Sequence, residues 1–255
     1  MCATLTVYPD PNVESTSVDG ITTRSGVDEA MATIRAGAGT SATDSGAAGS
    51  GLALVASTTS NQFKQLNRPI FLFDTSALGA GATISAAVKS VFGSGTNGNG
   101  LSGEASANSV AVLVASTPAS NTALVAGDYS QFGSTDFGRS AQQNAWNTAA
   151  YNDITLNASG LAAISKTGIT KFALRHGWDF DNTITGLTHV NDAEQTLEMK
   201  FADTADVTSD PKLVITYTAV AGPANVKTYN GVTAANTKTI DGTAIASVKT
   251  KDGVS

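Results

Sequence analysis

Arg68-Pro69-Ile70-Phe71-Leu72-Phe73-Asp74-Thr75-Ser76-Ala77-Leu78 runs straight into Ala82-Thr83-Ile84-Ser85-Ala86-Ala87-Val88-Lys89-Ser90-Val91-Phe92-Gly93, and the reading of this stretch decides the fold. Its first part reads as a strand, with Ile70 and Leu72 on one face and Phe71 and Phe73 on the other. A run apolar on both faces suits a strand covered on both sides rather than one at an edge. Asp74-Thr75-Ser76 offers side-chain oxygens to the backbone of a turn. Ile84, Ala86 and Val88 then resume a period of two, which predicts a second strand.

Similar runs recur on either side. Leu5 and Val7 start a first strand, stopped by Pro9 and Pro11, and Asp19-Gly20 reads as a turn between strand-like neighbours. Asp28 to Ala36 fits a helix and a strand equally well, because Thr33-Ile34-Arg35 alternates while the segment as a whole has helix propensity. Ala36 to Gly51 is small and polar and reads as loop, and Leu52 to Ala56 is a short apolar run. Val110 to Ser116 is a β-branched strand. A helical turn is predicted within Ala123 to Tyr129, and a brief helix over Gly160 to Ile164 capped near Asn157. Tyr151 to Leu156, Thr170 to Arg175, Thr196 to Phe201 and Leu213 to Thr218 complete the strands. Phe71, Phe73, Phe92, Phe172 and Phe201 all fall on strand patterns and are expected in the core.

Short alternating runs separated by Gly, Ser, Asn and Pro point to an all-β domain. With 255 residues there is ample chain for a core, and charged residues make up only 14%. The formal net charge of −6, with no cluster of Lys and Arg, excludes a nucleic-acid surface. Cys2 has no second cysteine to pair with. The longest apolar runs fall well short of the roughly 20 residues needed to cross a bilayer as a helix, so no membrane insertion is expected. Met1 to Tyr8 has neither the basic start nor the apolar centre of an export signal. An adhesin-like composition without a signal leaves a chain trimmed of its leader, or a protein assembled in a host cytoplasm and released within a particle. The Met1 start favours the second.

Beyond Pro223 the character changes. Lys227-Thr228-Tyr229-Asn230-Gly231, Lys238-Thr239-Ile240-Asp241-Gly242 and Lys249-Thr250-Lys251-Asp252-Gly253 repeat at a period of about eleven residues. Asn-Gly and Asp-Gly favour tight type I′ turns, so each copy reads as a minimal hairpin that buries almost nothing by itself. The reading is a domain over residues 1–220 and a segment over 221–255 that packs on another chain or a neighbouring surface. Asn230, Gly231, Asp241, Gly242, Asp252 and Gly253 are the key positions of that assembly segment.

The richest cluster for chemistry is His176-Gly177-Trp178-Asp179-Phe180-Asp181-Asn182. Asp179, Asp181 and Asn182 are hard oxygen ligands at a spacing calcium accepts, with Asp203 and Asp206 as further donors. The plainer reading, and the preferred one, is a solvated loop whose Asp and Asn side chains satisfy turn backbone, with no cofactor. His176 and His189 lack metal-ligand spacing. No Gly-x-Ser-x-Gly, P-loop or His-Glu-x-x-His pattern is present, so the chain reads as no enzyme. Trp146, Tyr151 and Trp178 lie near loops, where they either stack on a sugar ring or, more ordinarily, pin a loop to the domain.

Two groups of residues carry a resemblance. Arg68 to Leu78 with Ala82 to Val88, closed by Pro211-Lys212-Leu213-Val214-Ile215-Thr216-Tyr217, resembles the DNRLRE-type (disaggregatase-related) β-sandwich modules. Ile34-Arg35-Ala36-Gly37-Ala38-Gly39, Ser116-Thr117-Pro118-Ala119-Ser120-Asn121-Thr122-Ala123-Leu124, Tyr151-Asn152-Asp153 and Ser165-Lys166-Thr167-Gly168-Ile169 resemble virion-type proteins of tailed phages. The likeness covers roughly Leu5 to Thr218, and the Lys-Thr-x-Asn-Gly tail is common in such proteins. It implies a jelly-roll-like β-sandwich and a C-terminal hairpin tail. The role it implies is a non-enzymatic decoration protein, head fibre or tail-associated protein on the virion surface. The partners would be copies of itself, a trimer among the options, and other virion proteins. The alternatives are a carbohydrate-binding module for host surface glycan and a polysaccharide-degrading enzyme.

Overall fold

The computed structural model describes residues 2–97, 101, 106–204 and 207–219, together with four two-residue strands of the C-terminal segment. The strands are β1 (Cys2–Val7), β2 (Asp19–Ala30), β3 (Ser41–Thr43), β4 (Ala48–Ala56), β5 (Gln62–Asp74), β6 (Thr83–Asn97), β7 (Ala111–Ala115), β8 (Gly138–Arg139), β9 (Tyr151–Thr155), β10 (Ile169–His176), β11 (Glu194–Lys200) and β12 (Lys212–Thr218). Three short helices interrupt them: α1 (Met31–Ala36), α2 (Ala158–Ala162) and α3 (Gly177–Asp181). The all-β expectation holds, but these strands form one 12-stranded sheet, not two separate ones. Its main path is β1-β12-β6-β11-β4-β5-β10-β7-β8, with β2 on β5, β3 on β2 and β9 on β6.

The sheet curls back on itself because β6 changes partners along its length. Its first part pairs with β12 and β9, and from Gly93 to Asn97 it pairs with β11. A change of partner at a corner needs a bulge or a bend. The β6–β11 register shifts at Glu198/Met199, and a Cβ on Gly93 would overlap the Asn147 carbonyl. The core lies between the two limbs. It takes Phe71 and Phe73 from β5 and Phe172 and Leu174 from β10, with Val91, Ile154, Leu213 and Ile215 from the β6–β9–β12 limb.

The central strand β5 behaves as its sequence indicates. Phe71 and Phe73 join the inner core, while Ile70 and Leu72 face an outer cluster with Val18, Val112 and Val114. One edge of β5 pairs with β2, and the other passes from β4 (to Asn67) to β10 (from Ile70). Pro69, which has no N–H to donate, falls at that changeover. Past the strand, Asp74 Oδ1 accepts from the Ser76 N–H at 2.9 Å, as the Asp-Thr-Ser reading anticipates.

Several expectations are corrected. Asp19-Gly20 is no turn: both residues lie inside β2, where Gly20 (φ 153°) lets the Thr43 carbonyl approach so closely that a Cβ would overlap it. Asp28 to Ala36 is both strand and helix, with β2 running to Ala30 and α1 following. The loop expected over 36–51 contains β3 and the start of β4. The predicted 160–164 helix is α2, two residues earlier, with Asn157 Oδ1 accepting from the Gly160 N–H at 3.0 Å. On β6 the inward face is Ala87, Lys89 and Val91, not Ala86 and Val88. The register against β12 slips between Thr216 and Tyr217, and one extra residue there reverses the phase of every side chain after it. Phe92 is only half-buried, packing edge-on against Tyr151 with ring centroids 5.3 Å apart.

Candidate functional site

The outer faces of β5 and β10 carry the most concentrated electrostatics among the described residues. Arg68 sits on the outward face of β5 and Arg175 on that of β10. Arg175 is four residues before Asp179, which the chain's turn into α3 brings back over the sheet. Asp179 has no exposed surface. Arg68 Nε and Nη2 donate to its two carboxylate oxygens at 2.8 and 2.6 Å, and Arg175 Nε and Nη2 do the same at 2.9 and 2.7 Å. Two bidentate pairs converge on one carboxylate, the geometry for which guanidinium is suited.

The same arginines hold the surrounding backbone. Arg68 donates to the Tyr129 and Arg35 carbonyls at 2.8 and 2.9 Å, and its guanidinium lies 4.2 Å from the centre of the Tyr129 ring. Arg35 Nε reaches the Asp179 carbonyl at 2.8 Å, and Tyr129 Oη donates to the Ile34 carbonyl at 2.8 Å. Burial on its own would raise the Asp179 carboxyl, but Arg68 and Arg175 beside it hold it well below the usual carboxylate range. Burial pushes the Tyr129 phenol up. The cluster ties α1, α3 and the 126–130 turn to the sheet. Every polar atom of the carboxylate is spent inside the protein, so it acts as a staple and offers no group to a substrate.

His176, the residue before α3, is fully buried, with its ring stacked on Trp178 at 4.7 Å and the Asn108 backbone alongside. Burial pushes its imidazole down to about 4 from the ordinary 6.5. Between those two pH values the unfolded chain binds a proton that the folded chain refuses, so this residue's contribution is intact above 6.5 and declines as pH falls towards 4. We expect urea-derived stability to drop in that window by on the order of 3 kcal/mol more for the wild type than for His176→Gln. Parallel curves for the two proteins would show that the ring is not held neutral.

A second buried ionisable pair crosses the inner core. Lys89, on β6 opposite Leu213 and Ile154, is fully buried. Its Nζ donates to the Ser90 carbonyl at 3.0 Å and stands 3.9 Å from the Phe71 ring centre and 5.3 Å from that of Phe73. Asp19, on β2 opposite Phe71, is 1% exposed, and both its oxygens accept from the Ala202 N–H at 3.3 and 3.1 Å. Burial pushes the Lys89 amine down to about 7, with Asp19 opposing, and pushes the Asp19 carboxyl well up.

The residues singled out in the sequence lie elsewhere or do other work. The structure does not gather Asp179, Asp181 and Asn182 around a common point: Asp179 is taken by arginines, Asp181 accepts a bidentate pair from Arg139 at 3.1 and 3.1 Å, and Asn182 closes α3 in the left-handed region (φ 49°). The plainer alternative is corrected too, since Asp179 lies in a buried helical turn and not a solvated loop. Among the described residues no group of three His, Cys, Asp or Glu side chains is placed to hold a metal. Asp203 accepts from the Asn12 N–H at 2.5 Å, and Asp206 lies outside the described residues.

Of the three loop aromatics, Trp178 is fully buried and Trp146 is 6% exposed, so neither presents a face to a sugar. Trp178 Nε1 donates to the Thr185 carbonyl at 2.9 Å, pinning the following loop. Tyr151 is half-buried, its Oη donating to the Thr208 and Asp210 carbonyls at 2.9 and 3.0 Å and its ring lying 3.7 Å below Lys212 Nζ. The tail positions Asn230, Gly231, Asp241, Gly242, Asp252 and Gly253 lie outside the described residues. Arg68, Arg175, Tyr129, Lys89 and Asp19 are the residues that sequence reasoning missed. Lys89 carried a usable signal, a cation within an apolar alternating run, whereas Arg68 sits at the head of its run and reads as a strand-end charge. No protein-family model matches the chain, and no curated protein matches it.

Proposed function

We propose that this chain is a non-enzymatic structural protein of a tailed-phage particle surface, whose β domain is displayed while its C-terminal repeats attach it to copies of itself or to neighbouring particle proteins. One observation carries this reading. In the C-terminal segment, β13 (Thr228–Tyr229) pairs with β14 (Val232–Thr233) and β15 (Thr239–Ile240) with β16 (Thr243–Ala244), each as a sheet of its own apart from the 12-stranded one. Tyr229 stands opposite Val232 and Ile240 opposite Thr243, so the two ladders repeat the eleven-residue sequence period with matching registers. Two-residue ladders cannot stand alone in water, and a series of them gains stability only from what stacks against it.

The site geometry favours this class over the alternatives. The Asp179 carboxylate is taken up by an internal staple, and of the three loop aromatics only Tyr151 is left partly exposed. We expect the protein in many copies in purified particles by mass spectrometry, and absence from them would sink the proposal. We also expect removal of residues 221–255 to abolish self-association in light scattering while the β domain keeps its cooperative melt. Unchanged association would move the attachment surface off the repeats.

A further inference from the structure

Lys89 and Asp19 invite a question that an ordinary buried ion pair would not. A lysine with no exposed surface needs a charge partner in contact, because an isolated ammonium in the core is costly. Yet among the described residues no carboxylate lies within 4.0 Å of Nζ, and the hydrogen bond it makes is to its neighbour's carbonyl. Across the core the Asp19 carboxyl is equally shut from water. Both flank a single ring: Asp19 pairs with Phe71 across β2 and β5, and the Lys89 amine sits 3.9 Å from the centre of that ring, with Phe201 stacked on it at 5.7 Å.

We propose that Lys89 and Asp19 condense into an intramolecular amide, a covalent tie between the two limbs of the sheet. In the step, the Nζ lone pair attacks Asp19 Cγ of the un-ionised acid and the N–C bond forms. One Cγ–O bond then breaks. The hydroxyl leaves with a proton given up by the nitrogen, so one water is released and nothing is oxidised or reduced. The core favours both reacting forms, since burial disfavours ammonium and carboxylate alike. The Ala202 N–H, aimed at both Asp19 oxygens, is placed to stabilise the oxyanion of the tetrahedral intermediate. Lys89 has to turn from the Ser90 carbonyl towards Asp19, a movement that a side chain held by one hydrogen bond and four methylenes permits. A cavity of about 220 Å³, lined in part by Gly20 and Phe201, the residues next to Asp19 and Ala202, gives the released water a way out. Once the amine has turned, two groups confined in a dry core react with high effective molarity.

The test is the intact mass of the full-length chain, unfolded after purification. We expect it to be one water lighter than its sequence, and a digest to give a branched peptide joining the Asp19 and Lys89 segments, with trypsin failing to cut after Lys89. Lys89→Met and Asp19→Ala should each show their full sequence mass. A folded wild-type chain at full mass would overturn the proposal. So would a water deficit without the branched peptide that maps to Asp19-Gly20, Asp241-Gly242 or Asp252-Gly253, where an aspartate can close on the following amide to a cyclic imide; at Asp19-Gly20 that deficit would persist in Lys89→Met.

Discussion

Asp179→Ala is expected to destabilise the fold by about 3–5 kcal/mol and to lower the melting temperature by on the order of 10 °C. The cause is what the substitution leaves behind rather than the contact it deletes. Arg68 and Arg175 are 2% and 7% exposed at their side chains, and both direct their guanidinium forks at this one carboxylate. Without it, two cations stay buried next to Arg35 with no anion between them. Arg68 would still donate to the Tyr129 and Arg35 carbonyls, so the arginines cannot simply swing out to water without giving up the α1 and 126–130 contacts. The internal control is Asp181→Ala, two residues on. Asp181 also pairs with an arginine, but at 29% exposure against 33% for Arg139, and such a pair is worth no more than about 1 kcal/mol. The difference between the two variants in urea unfolding measures burial together with the second arginine that only Asp179 holds. Equal small losses would mean that the cluster does not hold α1 and α3 to the sheet. The pH dependence runs the same way. A carboxyl depressed by its partners contributes fully above its unfolded value of 3.8 and loses that contribution as pH falls below it, so the wild type should lose stability at acid pH that Asp179→Ala has already lost.

What was legible in the sequence follows the range of the forces involved. Strand alternation is local: Ile70 to Phe73, Thr170 to Arg175 and Thr196 to Phe201 show which side chains point which way without knowledge of their partners, and the structure agrees. Where a distant segment decides, local rules misled. Gly20 looks like half of a turn, yet it is there because the Thr43 carbonyl passes over it. Gly51 sits within a strand where a Cβ would overlap the Met199 side chain. A single bulge opposite Thr216 and Tyr217 inverted the face of β6, and with it hid that Lys89 points inward. Asp179 was misread for the same reason. Three oxygen-bearing side chains within four residues suggest a cation, but the cations that answer Asp179 include one 111 residues away on β5. Calcium and guanidinium ask the same thing of a carboxylate, and sequence spacing alone does not tell them apart.

Phe71→Ala tests the centre of the fold, and about 3–5 kcal/mol is the expected loss. The ring is fully buried at the middle of β5, stacked on Phe201 at an interplanar angle of 11°, and it belongs to the cluster shared by both limbs of the sheet. Truncation removes the transfer energy of a phenyl group and leaves a void bordered by β-strands, whose hydrogen-bonded backbones collapse poorly into it. It also strips the Lys89 side chain of the aromatic face 3.9 Å away. The loss should therefore sit at the upper end of the range. Phe92→Ala is the comparison: that ring is half-buried at the rim, edge-on to Tyr151, and should cost well under half as much. Urea denaturation separates the outcomes, because a lower midpoint at constant slope reports lost packing, while a changed slope reports a native state that has loosened. An unchanged midpoint for Phe71→Ala would mean that the two limbs are not held together across this ring. The placement of Lys89 and Asp19 on either side of that ring would then lose its frame as well.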